Sequence, residues 1–117
     1  MSYIDGFVAA VPKKNLVAYR KMSAKASKVW REYGALEYFE WVGDDVPEGK
    51  VTSFPKSVKL KAGETVVFAW IVYKSRAHRD RVNKKVMSDP RMQMDLKNAP
   101  FDGKRMIFGG FKLLLKG

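Results

Sequence analysis

The chain reads as a small α+β domain, a ferredoxin-like βαββαβ arrangement built on an antiparallel sheet. Three observations predict it. Two β-forming apolar runs, Tyr3–Val11 and Thr65–Tyr73, are each followed by a helical segment. A shorter aromatic run, Ala35–Gly43, stands between them, and a final strand-like run, Arg105–Leu115, closes the chain. The order β-α-β-β-α-β is that of the split βαβ motif. It predicts the spatial strand order 4-1-3-2, with the first and last strands as antiparallel neighbours.

The first strand carries one acid, Asp5, and one glycine, Gly6, among otherwise apolar residues. Pro12-Lys13-Lys14-Asn15 breaks it, with Asn15 placed as a helix cap. Leu16, Tyr19, Ser23, Ala26, Trp30 and Tyr33 then recur at spacings of 3, 4, 3, 4 and 3, one stripe of a helix. Gly34 stands where a C-terminal glycine ends it. Asp44–Lys50 is a loop, and Val51–Lys61 has no clear period before the turn at Ala62-Gly63-Glu64. Thr65–Tyr73 is apolar without alternation, the pattern of a strand buried on both faces. Ser75 caps a second helix reaching about Ser88, whose apolar face is thin, with Ala77 or His78, Val82 and Val86. Asp89-Pro90 interrupts it, and Arg91–Asn98 is expected to add a short helical turn. The helices cover one face of the sheet. Because the first and third strands are apolar on both faces, the second face needs a cover, and another copy of the chain is the simplest one.

At 117 residues, the chain (1–117) is expected to be a single domain. No run approaches the length of a membrane span, and MSYIDGF lacks the features of a signal peptide. The absence of cysteine removes disulfides, thiolate metal sites and thiol nucleophiles, and fits a cytoplasmic protein. A net charge of +11 is high for this length and favours loose association with polyanions.

DGF at Asp5–Phe7, VVFAWIVY at Val66–Tyr73, SDPRM at Ser88–Met92 and FDGKRMIFGGF at Phe101–Phe111 stand in order along the chain. Together they resemble the uncharacterised bacterial YbaA-like family. The resemblance implies the dimeric α+β barrel superfamily, in which two ferredoxin-like sheets pack face to face as a homodimer. The family has no established activity. Members of the wider superfamily include cofactor-free monooxygenases, haem-degrading enzymes, isomerases and plain ligand binders, so fold leaves function open.

Asp5 shares one side of its strand with Tyr3, Phe7 and Ala9. Lys104 and Arg105 open the last strand, whose antiparallel register leaves direct contact between Asp5 and Arg105 undecided. The candidate site is a polar-tipped aromatic pocket between sheet and helices. Asp5 and Arg105 are its anchors, and Tyr3, Phe7, Trp70 and Phe108 its walls. A base near a substrate is what proton transfer or cofactor-free oxygenation needs, and Asp5 is the acid the pattern places inside. The same carboxylate can equally be a structural ion pair. Asp102-Gly103 reads as a turn, and Gly109-Gly110 as a bulge or a close backbone approach by a partner copy or ligand.

The single histidine, His78, sits among Arg76, Arg79 and Arg81 and reads as a solvated helix residue. No metal site, nucleophile elbow, dinucleotide fingerprint or P-loop is present in the sequence, and no cofactor is expected. The alternative function is a non-catalytic binding protein whose basic helix faces meet nucleic acid. Aromatics interleaved with charges on an exposed sheet would be its signature.

Overall fold

A computed structural model describes residues 2–93 and 99–117. Strand β1 (Tyr3–Pro12) leads through a 3-10 turn into helix α1 (Leu16–Glu32) and strand β2 (Glu37–Val42). A one-turn helix α2 (Phe54–Ser57) precedes strand β3 (Glu64–Tyr73), and helix α3 (Arg76–Met87) and strand β4 (Ile107–Lys112) complete the order. The architecture is mixed α+β, and the four strands form one sheet in the order β2-β3-β1-β4, with every neighbouring pair antiparallel. That is the spatial order expected from the pattern of elements. β1 and β3 are paired over their full length, from Tyr3 opposite Tyr73 to Pro12 opposite Glu64. Their β-branched and aromatic residues suit a pleated, packed surface.

Side chains alternate across a strand, so this register sorts the apolar residues onto two faces. On one face α1 and α3 cover Ala9, Val11, Val67, Ile71 and Tyr73, all buried. On the other face the segment after Ser53 covers only one end, where Val58 packs on Val8, Ala10 and Val66. This segment is the one without a clear sequence period. Its order comes from Ser53, whose Oγ accepts the Lys56 N–H as an N-cap, and from the buried Pro55.

Gly34 ends α1 as expected. Its φ of 115° is in the glycine region, and the Gly34 and Ala35 N–H groups return to Arg31 and Trp30 in the Schellman pattern. Ser75 caps α3 by accepting the His78 N–H. Asn15 departs from expectation. It makes no cap, and its side-chain amide donates instead to the Pro100 carbonyl 85 residues away in sequence.

The last strand also starts later and ends earlier than the apolar run suggests. Asp102 accepts the Lys104 N–H, and a 3-10 turn occupies Gly103–Arg105. Beyond Lys112, among the described residues, the backbone makes one further bond, from the Leu113 N–H to the Ser2 carbonyl, and Leu114 is fully exposed. No bulge forms at Gly109-Gly110, which pair continuously with Gly6 and Asp5. The close approach there is internal: a Cβ on Gly110 would overlap the Tyr3 hydroxyl. Of the expected helical turn over Arg91–Asn98, a 3-10 turn spans Pro90–Met92, and residues 94–98 lie outside the described residues. No helix among the described residues is long and apolar enough to cross a membrane.

Candidate functional site

Between the sheet and its two long helices lies a cleft of about 470 Å³. Its floor is set by register. Glu40, Ala69, Phe7 and Phe108 form one row across the four strands, and Tyr38, Ile71, Asp5 and Gly110 form the next. The small side chains of Ala69 and Gly110 leave room in the middle of each row. Helix α1 supplies the roof through Tyr19, Ser23, Ala26 and Trp30, which are the inward stripe of its helical period. Phe101 meets Tyr19 edge to face, with ring centroids 5.4 Å apart.

Two carboxylates mark the polar ends of the cleft. Asp5 Oδ1 accepts from Arg79 Nη1 at 2.7 Å, and Oδ2 accepts from Asn83 Nδ2 at 3.1 Å. Arg79 and Asn83 are four residues apart on α3, so one helix face delivers both donors. Arg79 is held further by the Tyr3 hydroxyl at 3.2 Å, by Asp80, and by the Tyr3 ring beneath its guanidinium. The Asn83 carbonyl oxygen in turn accepts from Trp30 Nε1 and the Tyr73 hydroxyl, each at 3.0 Å. Seven side chains from β1, β3, α1 and α3 (Tyr3, Asp5, Trp30, Tyr73, Arg79, Asp80 and Asn83) thus form one connected network. The side chains of Asp5 and Arg79 are 18% and 19% exposed, so their pairing is well shielded from water. Burial, followed by the charge of Asp5, pushes the Tyr73 phenol above its ordinary range and keeps it a hydrogen-bond donor.

Glu40 stands at the other end, about 10 Å across two strand spacings from Phe7. Its Oε1 accepts from the Tyr19 hydroxyl at 2.5 Å and its Oε2 from the Tyr38 hydroxyl at 2.8 Å. Burial is the main cause, and the Glu40 charge the next, that raises both phenols well above their ordinary range. They stay protonated donors throughout the physiological range. Ser23, one turn after Tyr19, lines the same end. Its hydroxyl slightly opposes the rise at Tyr19, yet among the described residues the buried Oγ has no well-formed hydrogen bond.

Of the residues the sequence proposes for the site, Asp5, Phe7 and Phe108 line the cleft. Tyr3 is beside it, through Arg79. Trp70 is not in it. Trp70 pairs with Gly6, one residue out of phase with Asp5, and therefore points to the opposite face of the sheet. There it packs with Phe39, Trp41 and Phe68. Arg105 is also elsewhere. It forms a two-pronged pair with Glu64 at 2.8 and 2.6 Å and a further bond to Asp102 at 3.0 Å. Glu64 is opposite Pro12, seven residues along β1 from Asp5, or about 23 Å at strand rise. Arg105 anchors the start of β4 to the start of β3, and it lowers the pKa of both Glu64 and Asp102 chiefly by hydrogen bonding.

Sequence reasoning treats Arg79 as part of a solvated basic helix and passes over Glu40, Asn83, Tyr19 and Ser23 as polar groups of a site. The four-residue spacing of Arg79 and Asn83, on the face adjoining Val82 and Val86, was the available signal. So was the alternation of Tyr38 and Glu40 against Phe39 and Trp41. His78 is half-buried rather than solvated: its Nδ1 accepts the Lys74 N–H and its ring meets Tyr73 edge to face. Burial, with Lys74 and Arg81 nearby, lowers its pKa. Among the described residues no three His, Asp or Glu side chains gather closely enough to hold a metal ion.

Fold and cleft together define a small α+β protein with an apolar, carboxylate-tipped pocket beneath two helices. The chain belongs to the family described as "Protein of unknown function (DUF1428)", which matches residues 2–103. It is 52% identical over 115 residues to the uncharacterized protein YbaA of Escherichia coli K12, covering 98% of each chain, and equally similar to the YbaA of Shigella flexneri. Among solved structures, the de novo designed protein Foldit4 is similar over 99% of this chain and 100% of that one, at 9% identity and a TM-score of 0.46.

Proposed function

We infer that this protein binds a compact, largely apolar small molecule in the cleft between its sheet and helices α1 and α3. The observation that carries this reading is the cleft itself: about 470 Å³, walled largely by apolar side chains such as Phe7, Met22, Ile71, Phe101 and Met106, with a few polar groups, Glu40 and Ser23 among them. Small-molecule sites have this composition and size. Asp5 is engaged by Arg79 and Asn83 and serves to fix the walls, so it is a positioning residue in this reading. Glu40 is the carboxylate of the cleft that, among the described residues, has neutral donors and no cationic partner.

The reading includes a ferredoxin-like, dimeric α+β barrel with a second copy on the outer face of the sheet. Phe39, Trp41, Phe68, Phe111 and Leu113 are 39–57% exposed there, and Trp70 joins them. Among the outward positions of β1, β3 and β4, Ile4, Gly6, Val8, Val66, Phe68, Trp70, Val72, Ile107, Gly109 and Phe111 carry no charge, and Glu64, at the end of β3, is paired with Arg105. A polyanion would need Lys or Arg among those rings, so a like apolar face fits better than nucleic acid. A cytoplasmic location belongs to the same reading, supported by the cysteine-free sequence.

Native mass spectrometry of freshly purified protein tests the pocket. A retained small-molecule adduct is expected, and Ala26→Trp, which plugs the cleft, is expected to remove it. No adduct, or one indifferent to the plug, counts against the reading. Sedimentation equilibrium tests the partner: a dimer is expected that Phe68→Lys converts to monomer, and a monomeric native protein would sink the dimer.

A further inference from the structure

We propose that the ligand of this cleft carries a protonated amine, seated against Glu40 and the Ser23 hydroxyl between the rings of Tyr19 and Tyr38. The proposal rests on the small-molecule reading above and adds the charge and orientation of the ligand.

Hydrogen-bond capacity supports it. Four ionised side chains besides Glu40 border the cleft: Asp5, Lys25, Arg79 and Arg91. On both arginines every guanidinium nitrogen already has a partner. Arg79 spends Nε on Asp80, Nη1 on Asp5 and Nη2 on Tyr3. Arg91 spends Nε and Nη2 on Asp89 and Nη1 on Glu32. Lys25 is exposed at the rim. An anionic ligand would have to break an existing ion pair to find a buried cation.

Glu40 presents the opposite situation. A carboxylate offers about four acceptor sites. Among the described residues its donors are two neutral phenols, one on each oxygen. Each oxygen keeps a further lone pair, and the phenols, raised in pKa, hold the carboxylate in place without neutralising it. Ser23 adds an independent sign. Its side chain is more than nine-tenths buried, it lines the cleft, and its Oγ is orphaned among the described residues. Buried hydroxyls are normally satisfied, so an orphan facing a cavity marks where a ligand donor is received. An ammonium supplies three donors and no acceptor, which suits two carboxylate oxygens and one hydroxyl. The surrounding rings of Tyr19, Tyr38 and Trp30 add the attraction of aromatic faces for a cation. The protein's net charge of +11 does not oppose this at contact range. Surface charges are screened over about 8 Å at physiological salt, whereas a shielded contact is screened much less.

Calorimetry at 0.15 M salt with 2-phenylethylamine, 2-phenylethanol and 3-phenylpropionate tests it, because these share a ring and a similar length but differ in charge. The amine is expected to bind at least about tenfold tighter than the carboxylate. Glu40→Gln is expected to weaken the amine about tenfold while leaving the alcohol nearly unchanged, and Ala26→Trp to abolish all three. Tighter binding of the carboxylate, or an amine indifferent to Glu40→Gln, overturns the proposal and leaves the small-molecule reading intact. Failure of all three probes also overturns it, while the retained adduct in native mass spectrometry separately decides that reading. Should Glu40→Gln not fold, the ranking of the three probes on the unaltered protein decides alone.

Discussion

The two faces of this one sheet are built from equally apolar strands and end in different states. On the helix side Ala9, Val11, Ala69 and Tyr73 are fully buried, and the Tyr73 hydroxyl and the Asp5 carboxylate join one network through Asn83. On the outer side Phe39 and Trp41 stack on each other and are tilted against Trp70, and Phe68 meets Trp70 edge to face, with centroids 5.5–5.9 Å apart, yet three of the four are exposed. Aromatic contacts alone do not remove a surface from water; a covering layer does. What distinguishes the faces is whether the chain has a helix left to spend on them.

Substitutions break or sharpen that contrast. Ile71→Ala, on the buried face, is expected to cost about 2–5 kcal/mol in urea unfolding, because it leaves a cavity under α1 and α3. A loss below 1 kcal/mol would mean the helices do not seal that face. Asp5→Ala should follow at about 2 kcal/mol, since it strips Arg79 and Asn83 of their shared acceptor. Asp5→Asn, which keeps the shape, should cost less, and an equal cost would assign the whole effect to the carboxylate charge instead of to packing. Tyr38→Phe is expected to cost about 1 kcal/mol by removing one donor from Glu40. Trp41→Ala, on the outer face, should cost the isolated subunit the least, at most about 1 kcal/mol, while weakening self-association in sedimentation experiments.

A pH titration adds a test at the far end of the sheet. Arg105 depresses the pKa of Glu64, whose ordinary value is 4.5, and that of Asp102. The folded state therefore binds fewer protons there than the unfolded one, and stability is gained above the ordinary values and lost as pH falls through the folded ones. Arg105→Leu should flatten the acid limb of stability below about pH 4.5. An unchanged limb would show that other carboxylates dominate it.

Much of the fold is legible because it depends on local periodicity. The stripe from Leu16 to Tyr33, the stop at Gly34, the cap at Ser75 and the two long apolar strands each state their conformation within a few residues. Strand order follows from them, since the order of elements leaves few antiparallel solutions. The site is less legible for a different reason. Asp5 announces itself as an acid among apolar neighbours, but its partner lies 74 residues away on a helix whose other arginines are solvated. Trp70 looks like a pocket wall until the register assigns it to the other face, one residue out of phase. Glu40 resembles an ordinary edge-strand charge until Tyr19 and Tyr38 close on it.

By itself, then, the sequence determined the elements, their order, the family and the presence of one inward acid, because these depend on spacing along the chain and on residue chemistry. Only the tertiary structure decided that Asp5 meets Arg79 and not Arg105, that Glu40 is held by two phenols instead of a cation, and that Ser23 faces the cleft. Those outcomes depend on strand register and on how α1 and α3 rotate over the sheet. A shift of one residue or a fraction of a turn would have exchanged the partners without changing a single local preference.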